Sequence, residues 1–103
     1  MVRSFVDLTF TNTPIGFVFV VYWLASIDET FRQSYTLMDK AGNILDETPS
    51  SDLVLKQAQA YISTAIFYTI FPSVGSYTVN VYQDGICTEI SPIQVIEPRL
   101  DAH

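Results

Sequence analysis

The sequence predicts an all-β domain, an antiparallel sandwich of about seven short strands. Three observations predict it. Val, Ile and Thr make up 30 of the 103 residues and aromatics a further 14%, and branched and ring side chains pack well on a pleated surface. Apolar and polar residues alternate with period two in several segments, as they do in half-buried strands. Turn residues punctuate those segments every ~8 to 15 positions, the spacing of a sandwich. The length fits one domain, spanning residues 1–96, with 97–103 expected as a flexible C-terminal tail whose Pro98 stops the last strand.

From Val6, residues Val6, Leu8 and Phe10 share one face and Asp7, Thr9 and Thr11 the other, a half-buried strand ended by Asn12 to Pro14. Phe17 to Leu24 is continuously apolar and rich in Val and aromatics, so a central strand covered on both faces is expected. The next strand runs from about Phe31 to Asp39, with Phe31, Tyr35 and Leu37 inward. Asp39 to Asn43 then turns the chain, Gly42 supplying the positive φ of a bulged hairpin into Ile44-Leu45.

Residues 48–60 admit two readings. Pro49-Ser50-Ser51-Asp52 resembles a helix N-terminus, and Leu53, Lys56, Gln57 and Ala60 permit a short helix. The even positions from Ala58 through Ile62, Ile66 and Tyr68 to Ile70 are nearly all apolar, which favours a long strand ending at Pro72 with those residues inward. Ser73 to Gly75 turns into a strand with Tyr77, Val79 and Val81 inward, and Asp84-Gly85 is a two-residue hairpin signal. The last strand, Ile86 to Ile96, carries Pro92, which cannot donate to a ladder, so an edge position or a bulge is expected there.

Gly75-Ser76-Tyr77-Thr78-Val79 has the form of a tyrosine corner, in which a Tyr opening the penultimate strand ties its hydroxyl back to nearby backbone. With Val81, Asp84-Gly85, Pro92 and Val95, and with Leu37-Met38-Asp39 and Gly42 before it, this segment resembles uncharacterised bacterial immunoglobulin-like families. The resemblance spans about Pro14 to Val95. It implies an immunoglobulin-like, Greek-key β-sandwich and carries no activity and no functional residue with it.

Charge sets the functional limits. Eleven acidic against five basic residues give a net charge of -6, whereas a nucleic-acid surface neutralises phosphates with Lys and Arg, so nucleic-acid binding is not expected. The apolar run Ile15 to Ala25 is too short for a membrane helix of ~20 residues, and no membrane segment is expected. A single cysteine, Cys87, makes no internal disulfide, which points to a reducing, cytoplasmic setting. The sole histidine, His103, is the last residue and a poor catalytic base or metal ligand. Cys87 lacks CxxC spacing, and the neighbours Asp28-Glu29 and Asp46-Glu47 point opposite ways on a strand. No catalytic residue, metal site or cofactor is therefore predicted, and an enzyme is not expected.

The 16% of charged residues leave two charge-free windows, Leu8 to Ile27 and Gln57 to Gln83. Sheet edges normally carry Lys, Pro or bulges against unwanted pairing, and these windows hold few such guards. Tyr61, Phe67 and Phe71, opposite the inward even positions, and Tyr82 on the neighbouring strand are expected to form an outward aromatic patch. The function expected is a non-enzymatic interaction module that self-associates, as a homodimer or larger homo-oligomer, through an uncharged sheet face. The alternative is a small-molecule-binding protein holding an aromatic or nucleotide-like ligand between protomers.

Overall fold

The structure is a computed structural model and describes residues 6–98. His103 and most of the tail expected over 97–103 lie outside the described residues. Eight strands follow in chain order: β1 (Val6–Thr9), β2 (Ile15–Leu24), β3 (Glu29–Asp39), β4 (Ile44–Glu47), β5 (Ser51–Leu55), β6 (Ala60–Thr69), β7 (Gly75–Gln83) and β8 (Ile86–Ile96). The described residues contain no helix long and apolar enough to cross a membrane.

Six strands form one sheet in the order β1-β8-β7-β3-β4, with β5 also paired to β3. The sheet is mixed, not wholly antiparallel as expected, because β1 runs parallel to β8 from Val6↔Ile93 to Thr9↔Ile96. Pro92 lies one residue before that pairing, where β8 is an edge, so its missing N–H costs no ladder bond. The second sheet is the antiparallel pair β2-β6, in unbroken register from Ile15↔Thr69 to Leu24↔Ala60.

Turn chemistry matches the residues that predicted it. Gly42 has φ 90°, and Asp39 accepts hydrogen bonds from the Asn43 backbone N–H (2.8 Å) and side-chain amide (2.9 Å). Those bonds, the side-chain one foremost, hold the Asp39 carboxyl below the usual aspartate range. The β7–β8 hairpin turns on Asp84 (φ 51°) and Gly85 (φ 79°), both in the left-handed region that a tight hairpin needs. Asp84 also pins β3, accepting the Arg32 N–H at 2.9 Å.

One core lies between the two sheets. Phe19 meets Tyr35 at 6.2 Å between ring centroids, Trp23 meets Phe31 at 5.1 Å and Phe71 meets Tyr77 edge-on at 4.8 Å. Leu37, Phe67, Val79 and Val81 are fully buried there. Each such side chain contributes ~1.5 to 3 kcal/mol by leaving water.

Three expectations are corrected. β2 is not a central strand with both faces covered: it pairs with β6 alone, and Val18, Tyr22 and Leu24 are exposed. Residues 48–60 are neither a helix nor the start of the long strand: β5 pairs with β3, the chain turns at Lys56 to Gln59, with Ala58 at φ 61°, and β6 starts afresh in the other sheet. The inward face of β6 is the odd one, Ser63, Ala65 and Phe67, while Ile62, Ile66 and Tyr68 face water. Both faces of β6 are apolar, so alternation alone did not choose between them. The rings and a hydrogen bond to Ser63 did.

Candidate interaction surface

The outer face of the two-stranded sheet is built from the even positions of both strands. Cross-strand neighbours on it are Gly16 and Tyr68, Val18 and Ile66, Val20 and Thr64, Tyr22 and Ile62, and Leu24 and Ala60. None carries a charge, and the polar side-chain groups are the hydroxyls of Thr64, Tyr22 and Tyr68. The Tyr68 ring lies over Gly16, 3.3 Å from where a Cβ would stand, so an alanine there would push the ring aside. Leu24, Ile66 and Tyr68 are 75%, 72% and 68% exposed. With Val18, Tyr22 and Ile62 they make six large exposed side chains on one uncharged face.

Beneath this face, a chain of hydrogen bonds crosses the core. Trp23 Nε1 donates to Ser63 Oγ at 2.8 Å, Ser63 and the Tyr35 hydroxyl are 2.7 Å apart, and Tyr35 O–H donates to Gln33 Oε1 at 2.7 Å. Indole N–H only donates and the amide oxygen only accepts, so the direction runs from Trp23 through Ser63 and Tyr35 to Gln33. Burial pushes the Tyr35 phenol above its ordinary range, against the opposing pull of its hydrogen-bonded neighbours Ser63 and Trp23.

The chain of bonds ends at a cleft of about 330 Å³ at one side of the core. β4 and β5 both lie along the same edge of β3 and part at residues 48–50. Thr48 mends the ladder there, donating its N–H to the Tyr35 carbonyl (3.0 Å) and accepting the Tyr35 N–H on Oγ1 (3.1 Å). The cleft opens beside that mend, between β3 and β6.

The four aromatics expected to share a patch do not share one. Phe67 is a core residue, 0% exposed, because β6 presents its odd positions inward, and Phe71, past the end of β6, is 1% exposed and packs on Tyr77. Tyr61 is 46% exposed at the start of β6. Tyr82 is half-buried in the other sheet, with its hydroxyl accepting from Thr36 Oγ1 at 3.3 Å. The face that sequence reasoning missed is signalled by the same charge-free windows, read on the even positions. Tyr77 donates its hydroxyl to the Ser73 carbonyl at 2.6 Å, the tie-back of a tyrosine corner, and Gly75 has φ 140°. Cys87 is exposed, and among the described residues no group of three or more His, Cys, Asp or Glu is placed to hold a metal ion. Asp46 instead accepts the Tyr68 N–H at 2.9 Å.

No family model matches the chain, and no curated protein matches it. Among solved structures, it is similar to the Pseudomonas fluorescens alkylpurine DNA glycosylase AlkC bound to DNA containing an abasic site analog. The TM-score is 0.55 and the identity 11%, over 89% of this chain and 27% of that chain. At that identity the likeness is one of fold, and this chain spans about a quarter of the other's length.

Proposed function

We propose that this chain is a non-enzymatic interaction module, an immunoglobulin-like Greek-key sandwich that self-associates through the outer face of β2-β6. The fold reading is supported by the β2-β6 pair packing over a β8-β7-β3 sheet and by the Tyr77 tie-back. The observation that carries the functional reading is the uncharged outer face itself. Six large side chains stand exposed on it, and nothing among the described residues covers them. A second copy is the occupant that fits. The chain carries a net charge of -6, and two like-charged copies meet with least repulsion where neither has a charge.

Light scattering across a concentration series tests the reading. The wild type is expected to pass from monomer to dimer, and Val18→Asp, which buries a charge in the contact, to stay monomeric with its circular dichroism unchanged. A wild type that is monomeric throughout, or a Val18→Asp dimer of undiminished affinity, would remove the proposal.

A further inference from the structure

We infer that an extended peptide adds as a strand to the open edge of β6, with one small uncharged side chain in the cleft beside Tyr35 and a basic residue near Asp46 and Glu47. This surface is the edge and cleft, not the outer face, and the inference does not depend on self-association.

The edge is open and its groups face outward. Tyr68 donates its N–H to Asp46 and not to β2. Backbone groups alternate sides along a strand, so the N–H and C=O groups of Ile62, Thr64 and Ile66 are directed the same way, off the sheet. The bond from Ala58 N–H to the Ala25 carbonyl agrees, since it sets the odd residues of β2 toward β6. Among the described residues no strand pairs with this edge. β4 lies beside the Tyr68 end, where Asp46 takes that N–H, and the strand holds no Lys or Pro to discourage pairing.

A free edge alone accepts any strand; the cleft adds selectivity. Gln33, Tyr35, Thr48 and Ser51 form one wall, Thr64 and Ile66 the other, and no lining residue is charged. Strand addition uses main-chain bonds for affinity and pockets for alternate side chains for choice, and both parts are present here. The rim decides the partner. Asp46 and Glu47 stand at the β4 end of the edge and the whole chain is acidic, so a basic peptide is attracted and a second acidic copy repelled. The structure also contains its own reporter. Trp23 is the sole tryptophan, and its hydrogen-bond chain ends on Gln33 in the cleft wall.

The probe is a capped heptapeptide, acetyl-Lys-Val-Thr-Ser-Val-Thr-Lys-amide, with a control in which both Lys are Glu. The Lys peptide is expected to change Trp23 emission saturably and to slow amide exchange at Ile62, Thr64 and Ile66 at least tenfold. The Glu control is expected to bind at least tenfold more weakly. Thr64→Pro removes an outward N–H and no bond to β2, and is expected to abolish the response. Ser51→Phe, which fills the cleft and leaves the sequence of β6 unaltered, is expected to do the same and serves if Thr64→Pro does not fold. No saturable response to the Lys peptide, undiminished binding by either folded variant, or equal binding of the Glu control would overturn the inference. None of these results bears on dimerisation, which Val18→Asp tests separately.

Discussion

The two faces of the β2-β6 sheet are close in composition and opposite in fate. Inward stand Phe19, Val21, Trp23, Ser63, Ala65 and Phe67, all buried; outward stand Val18, Tyr22, Ile62, Ile66 and Tyr68, all exposed. Hydrophobicity does not separate them, since the inner set contains a serine and the outer set contains no charge. What separates them is shape and hydrogen bonding. Large flat rings fill the space between sheets best, and a buried indole N–H needs an acceptor, which Ser63 supplies. The outer face is left as a second apolar surface with nothing in the described chain to cover it.

Substitutions on the two faces should separate the roles, the largest effect first. Phe67→Ala leaves a cavity at a fully buried ring and is expected to cost ~3 to 5 kcal/mol by urea denaturation. Should it cost less than about 1 kcal/mol, Phe67 does not hold the sheets together. Ser63→Ala strands the Trp23 N–H and leaves the Tyr35 hydroxyl with Gln33 alone, for about 1 to 3 kcal/mol. Its Trp23 emission is expected to shift with it, and unchanged emission would refute the bond. Tyr77→Phe removes the hydroxyl tied to Ser73 and is expected to cost about 0.5 to 1.5 kcal/mol. On the outer face, Val18→Asp is expected to change monomer stability by about 1 kcal/mol or less, the span of strand propensity. A Val18→Asp loss as large as that of Phe67→Ala would show that the outer face is core after all.

Tyr35 extends the comparison to pH. Its folded pKa is raised, so the folded state holds the phenol proton more tightly than the unfolded chain. That stability is fully present below the ordinary tyrosine pKa of ~10 and is lost as pH rises from there through the raised folded value. Urea midpoints taken from pH 8 to 11 should fall at the alkaline end in the wild type and fall less in Tyr35→Phe. Parallel curves for the two proteins would count against a buried, proton-holding Tyr35.

Strands whose two faces differ were legible in the sequence, and strands whose faces are alike were not. β3, Gln33 excepted, and β7 alternate in sequence, so Phe31, Tyr35, Leu37, Val79 and Val81 were placed inward and are buried, although Thr36 and Asn80 between them are buried as well. The Gly42 and Asp84-Gly85 turns were legible because few residues accept a positive φ. β2 and β6 lack that contrast. Counting through the unrecognised turn at Ala58 and treating Ser63 as an outward marker put Phe67 and Phe71 on the wrong side. The parallel β1-β8 pairing left no local mark, since it joins opposite ends of the chain. Of the candidate surface, the missing charges were visible and the particular residues were not.

The central claim is that a second copy covers the outer face, and hydroxyl-radical footprinting of Tyr22 and Tyr68 at two protein concentrations, one below and one above the dimerisation midpoint, tests it most directly. The expected result is that both tyrosines react freely in the dilute sample and are protected in the concentrated one, while exposed Tyr61, off that face, reacts alike in both. Equal labelling of Tyr22 and Tyr68 at the two concentrations would contradict it.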